Sequence, residues 1–199
     1  MILRHLAVFA TLGLAACTSA PTHYYTLVPA SDVSPPRTVA AFQFAMQPVR
    51  IPVQADQPQV VVRESNGSLA ILETERWSAP LADEFHDALS GAMERKLGVR
   101  DVAGLPKAAN LPVVSLQTDV RRFDSVPGHY ALVDVVWSIS RRQAGEARRS
   151  LTCSSVIRQP AGAGVAQVVL AHQQAIEQLA SQIAPAVQRF AQNGPVTCP

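Results

Sequence analysis

VVSLQTDVRRFDSVPGHYALVDVVWSISRRQAGEARRSLTCSSVI, residues 113–157, is the stretch on which the fold turns. Its apolar residues recur at every second position. Val114, Leu116 and Val120 share one face of Val113–Phe123. Ala131, Val133, Val135, Trp137 and Ile139 share one face of Tyr130–Ser140, and Leu151, Cys153 and Ile157 one face of Arg148–Ile157. A period of two marks a strand with one buried side. The connections are Asp124–His129, with Pro127-Gly128, and Arg141–Ala147, with Gly145. Both have hairpin length, so the stretch predicts an antiparallel meander of three strands.

Outside the meander the period changes to that of a helix. Downstream, Val165, Val169, His172, Ile176, Leu179, Ile183, Ala186 and Phe190 are spaced alternately by four and three. They predict one long helix over Val165–Gln192, with a kink at Pro185. Upstream, Leu81, Phe85, Leu89, Ala92 and Leu97 form the apolar stripe of a second helix. Ser78 is the expected N-cap, Arg95 and Lys96 suit the C-terminal dipole, and Gly98 suits the C′ position. Earlier still, Gln59–Ser65 and Ser68–Glu73 flank Asn66-Gly67, the residues a type I′ hairpin turn requires. FQFAMQPVRIPV, residues 42–53, alternates but changes parity at Pro48, which predicts a strand with a break. Tyr24-Tyr25-Thr26-Leu27 reads as a strand and Ser31–Thr38, with Pro35-Pro36, as a loop. The fold class is therefore α+β: an antiparallel or mixed sheet covered on one face by two helices, in the order β-β-β-α-β-β-β-α.

The N-terminus has a different logic. Arg4 and His5 precede an apolar run, Leu6–Ala16, of 11 residues. A bilayer span needs roughly 20, so this is the anatomy of a cleaved secretory signal, residues 1–16. A buried N-terminal helix would not need this order of charge, apolar run and small residues. Leu14-Ala15-Ala16-Cys17 matches the bacterial lipobox, in which the chain is cut before the cysteine. The thiol then takes a diacylglyceryl group and the new amine is acylated, palmitate being a common chain. Two or more acyl chains give stable anchoring, at about 0.8 kcal/mol per buried methylene. Thr18 at the next position favours export to the outer membrane, where aspartate would favour retention. Residues 17–23 form a lipidated tether that spans about 20 Å at most, and residues 24–199 form one α+β domain.

The chain has three cysteines. With Cys17 lipidated in an oxidising periplasm, Cys153 and Cys198 are left to form a disulfide that staples the C-terminal tail to the meander. Two free thiols are the alternative.

Composition narrows the function. There are 17 basic and 15 acidic residues in the 199-residue chain. Such a balance lacks the excess used to bind phosphate backbones, so no nucleic-acid partner is expected. No HExxH, CxxC-type metal spacing, GxSxG, Walker or GxGxxG motif occurs, and neither a metal nor a cofactor is implied beyond the acyl chains on Cys17. Glu73 and Glu75 read as surface charge. Asp83, Glu84, His86 and Asp87 make an acidic helix turn that a solvated face near a helix N-terminus explains as well as a metal site would. His172, on the apolar seam, reads as a core or interface residue.

Several ordered features carry a resemblance. They are the lipobox with Tyr24-Tyr25-Thr26-Leu27 close behind it; Val49-Arg50-Ile51-Pro52; and Asp56-Gln57-Pro58-Gln59-Val60-Val61-Val62-Arg63. Asn66 and Leu69 follow in the hairpin, then Glu75-Arg76-Trp77 with Pro80-Leu81. Val120-Arg121-Arg122-Phe123-Asp124 and Trp137 are weaker echoes. The chain resembles the PqiC-type lipoproteins, the auxiliary lipoproteins of ABC-type intermembrane transport, over essentially the whole mature sequence. It departs from them in carrying Gln54 and Gln57 where many relatives have tyrosine and arginine.

The resemblance implies a non-catalytic lipoprotein on the periplasmic face of the outer membrane, anchored in its inner leaflet. It implies assembly as a homo-oligomeric ring that receives an MCE-domain tunnel protein in lipid transport. Asp56, Pro58, Gln59, Arg63, Arg76 and Trp77 are the candidate interface residues. A turn into a strand explains Asp56–Gln59 equally well, and a core aromatic explains Trp77. Two rival readings stay open: another envelope-assembly or integrity lipoprotein, and a lipid-anchored periplasmic enzyme whose site is built from distant residues.

Overall fold

The structure is a computed structural model that describes residues 20–30 and 41–199. The signal segment, Cys17 and the Ser31–Thr38 loop lie outside the described residues. The chain is α+β. Its strands are β1 (His23–Tyr25), β2 (Gln43–Met46), β3 (Gln59–Arg63) and β4 (Leu69–Trp77), followed by helix α1 (Leu81–Leu97). Strands β5 (Val113–Val126), β6 (Tyr130–Arg142) and β7 (Arg149–Pro160) and helix α2 (Val165–Ala191) complete it. The three-residue β1 stands in front of the order β-β-β-α-β-β-β-α.

The meander exists as β5-β6-β7, antiparallel throughout, and its strands run further into the loops than the sequence suggests. β2 joins it in parallel beside β5, with Gln43 level with Val113 and Met46 level with Leu116. The chain breaks at Pro48 and touches β5 again at Arg50, level with Asp119. Pro48, Pro52 and Pro58 remove three backbone donors from this stretch, so it cannot continue the ladder. The chain turns away instead, and β3 and β4 form a second sheet with β1 in the order β1-β4-β3. The fold therefore has two mixed sheets where one was expected.

One bulge decides how the sheets meet. The β5–β6 register shifts between Val120 and Arg122. Before it Val114, Leu116, Thr118 and Val120 are buried; beyond it Phe123 and Ser125 point into the core. The extra residue reverses the alternation. It leaves Asp124 buried on the opposite side, beneath the β3–β4 hairpin.

The helices close the core. α2 packs on β5, β6 and β7 and against α1. The predicted seam from Val169 to Phe190 is buried, and the helix continues through Pro185. α1 ends as expected at Gly98, whose φ is 70° and whose N–H donates to Glu94 O. Its start differs from the reading above. The helix begins after Pro80, with no side-chain cap, and the Ser78 hydroxyl donates to the Glu84 carboxylate in the first turn. Trp137 sits at the centre of the core, fully buried, and its Nε1–H donates to Ser155 Oγ at 3.1 Å.

Candidate functional site

The hairpin β3–β4 carries most of the candidate residues. At one end Trp77 N–H donates to Pro58 O at 2.9 Å, and Gln59 is level with Arg76. Gln59 Nε2 donates to Glu73 Oε2 at 3.1 Å. Trp77 is buried and meets Phe123 edge-on at 6.2 Å, so its ring belongs to the core. Asp56 is exposed in the preceding turn, its N–H donating to Pro52 O. The fold thus gathers Pro58, Gln59, Arg76 and Trp77 into one corner, with Asp56 just before it in the chain.

Arg63 lies at the other end of the hairpin, in a different setting. Its Nη2 donates to Asp124 Oδ1 at 3.0 Å, and Arg122 Nη2 takes the second oxygen, Oδ2, at 2.5 Å. Arg121 reaches Asp119 at 3.4 Å. These arginines line a cavity of about 80 Å³ with Pro52, Ala55 and Leu69. Arg63 Nε is buried there without a protein acceptor. The cluster is not legible in the sequence, because Arg121 is the bulge residue that turns its neighbours toward the hairpin. The signal available was the step from Val120 to Phe123, which breaks the period of two.

A strap joins the tether side of the chain to the body. β1 pairs in parallel with β4, His23 level with Glu75 and Tyr25 level with Trp77. Tyr25 Oη donates to Glu75 Oε2 at 2.6 Å, and His23 Nδ1 lies 3.0 Å from Oε1. The Tyr25 bond, then that of His23, holds the Glu75 carboxyl below its ordinary value. The same bond with Glu75, helped by burial, pushes Tyr25 up to about 12. Past β1, the buried Glu84 accepts Leu27 N–H at 2.8 Å and Thr26 Oγ1 at 2.7 Å. Gln173 Nε2 on α2 donates to Thr26 O at 3.0 Å. Glu84 is therefore a structural acceptor, where the sequence suggested surface charge.

The C-terminal tail is tied to β7. Cys153 and Cys198 are bonded, with their Cα atoms 5.5 Å apart. Arg149 donates to Asn193 O at 3.1 Å, and its guanidinium lies 5.2 Å from the Phe190 ring centre.

His172 is fully buried, stacked on Phe123 at 3.8 Å, with Nε2 2.9 Å from Ser125 Oγ. Burial pushes its imidazole down to about 3, with Asp124 acting weakly in the other direction. Among the described residues no group of three or more His, Cys, Asp or Glu side chains is placed to hold a metal ion.

The family model described as "ABC-type transport auxiliary lipoprotein component" matches residues 25–184. Two crystal structures share the fold. One, of an uncharacterized protein, has a TM-score of 0.60 at 16% identity, covering 83% of this chain and 98% of the other. The other, of a Xanthomonas campestris protein, has a TM-score of 0.58 at 20% identity, covering 86% of this chain and 98% of the other. No curated protein sequence is significantly similar to the chain.

Proposed function

The chain belongs to the ABC-type transport auxiliary lipoprotein family, and from that premise we propose that it is the outer-membrane accessory lipoprotein of an MCE-type lipid transport system. In this reading Cys17 carries the diacylglyceryl and N-acyl chains and sits in the inner leaflet of the outer membrane. Several copies form a ring that receives the distal end of an MCE-domain tunnel. The protein docks and conducts without catalysis.

The family match over residues 25–184 carries this reading. Two features of the fold support it. The folded body begins at His23, six residues after Cys17, so the tether holds it against the bilayer. The corner of Pro58, Gln59 and Arg76, with exposed Asp56, then serves as the partner-facing surface. Crosslinking in intact cells, followed by purification through this protein, tests the proposal. An MCE-domain protein in the crosslinked product is the expected result. Recovery of the uncrosslinked chain alone, with several reagents of different reach, would overturn it.

A further inference from the structure

We infer that the outer face of the β3–β4 hairpin, with the arginine-lined cavity beside it, is a bilayer-docking surface that takes phospholipid headgroup phosphates. The inference rests on the anchored reading above and identifies which face of the domain meets the membrane.

Strand direction carries the argument. Because β1 is parallel to β4, with His23 level with Glu75 and Tyr25 level with Trp77, the chain upstream of His23 heads toward the Leu69 end of β4. Cys17 lies six residues before His23 and Leu69 six residues before Glu75. Both stretches measure about 20 Å when extended. A tether of that length lets acyl chains on Cys17 reach the membrane beside the Leu69 end.

The surface at that end suits a membrane. Val53 is 80% exposed, Ile71 51% and Leu69 41%. Leu69 lines the cavity, Val53 stands between its lining residues Pro52 and Gln54, and Ile71 is level with the lining residue Val61. Arg63, Arg121 and Arg122 line the same cavity, where Arg63 and Arg122 occupy the two oxygens of one buried carboxylate, Asp124. Arg121 and Arg122 keep more than half of their side chains exposed. Of the nearby acids, Asp119 pairs with Arg121, while Glu64 accepts only from the neutral Ser68 hydroxyl and keeps its charge at the turn. Apolar side chains beside guanidiniums match the boundary between acyl chains and phosphates. Arg63 thereby leaves the partner-facing set, of which Pro58, Gln59 and Arg76 sit at the opposite end of the hairpin.

The test places a tryptophan reporter in the lipidated protein, reconstituted in vesicles of zwitterionic phospholipid with and without phosphatidylglycerol. Ile71→Trp and Val156→Trp both replace exposed side chains, the second on the far sheet. Lipids brominated on the acyl chains near the headgroup should quench Ile71→Trp and leave Val156→Trp unquenched. Adding Arg121→Gln should lower the docked-to-undocked ratio on phosphatidylglycerol vesicles about fivefold. Equal quenching of the two reporters, or none, would overturn the docking surface while leaving the anchor intact. A change in Ile71→Trp emission that follows protein density and ignores bromination would assign the face to a second copy and overturn it too. Failure of the protein to float with either vesicle would overturn the anchored reading, and this inference with it.

Discussion

Removing Glu84 should be costly for a single side chain. Its carboxylate is buried and accepts from Leu27 N–H, Thr26 Oγ1 and the Ser78 hydroxyl. Glu84→Ala removes all three acceptor bonds. The Thr26 and Ser78 hydroxyls belong to exposed residues and can turn to water, so each costs only about 0.5–1.5 kcal/mol. Leu27 is fully buried, and its N–H is left without a partner at a cost of about 1–3 kcal/mol. The loss should come to about 3 kcal/mol. At 2–4 °C per kcal/mol for a chain of this size, Tm should fall by roughly 6–12 °C. Glu84→Gln keeps an amide oxygen for Leu27 and should cost only about 1 kcal/mol.

Urea unfolding followed by circular dichroism reads the global loss, and hydrogen exchange at Tyr25 and Leu27 reads the strap. If the strap opens as a local unit, those amides should exchange about 100-fold faster in Glu84→Ala. A Glu84→Ala protein within about 1 kcal/mol of the parent would refute the reasoning. So would a Gln variant as damaged as the Ala variant, because the argument depends on one oxygen facing one buried N–H. The strap matters functionally because opening it to Leu27 would lengthen the tether from six to about ten residues, or about 35 Å.

Other consequences can be measured directly. Cys153→Ser opens a loop whose ends are 45 residues apart; the chain-entropy model gives a loss of about 4 kcal/mol, seen under oxidising conditions and absent when both proteins are reduced. His172, held down to about 3, has a folded value below its unfolded one, so its contribution is complete above about pH 6.5 and is lost as pH falls toward 3. Across that window the stability curve should slope by about 1.4 kcal/mol per pH unit, and His172→Leu should flatten it; an unchanged slope would contradict the burial argument. Tyr25 has the opposite sense: its raised value makes a contribution present below pH 10 and lost toward 12, so Tyr25→Phe should remove an alkaline loosening of β1 seen by hydrogen exchange. Cys17→Ser should leave the domain folded and free of the membrane; normal outer-membrane fractionation of that variant would contradict lipidation.

Much of the fold is legible because it repeats locally. The meander and the α2 seam each carry one period over many residues. Asn66-Gly67 marks the hairpin, but only Gly67 takes a positive φ, so the turn is not the type I′ turn expected. What was hidden depends on pairing at long range. Nothing near Phe44 indicates that it runs parallel to Val114, and nothing near His23 indicates Glu75 as its partner. The split into two sheets follows from those pairings. Ser78 looked like a cap because serine before an apolar stripe often is one, yet Pro80 sets the helix start and Glu84 takes the hydroxyl. Of the candidate residues, Cys153 and Cys198 are paired by counting cysteines, whereas Trp77, an interface candidate from its place in an ordered motif, has its ring in the core. The Arg63–Asp124–Arg122 cluster was not found, since a single bulge residue creates it.

The most direct test of the central claim is the native mass of the protein purified from membranes in mild detergent. The account predicts a subunit that begins at Cys17, carries diacylglyceryl and N-acyl chains, and assembles into a closed homo-oligomer. A monomeric species, or a subunit with an unmodified Cys17, would contradict it.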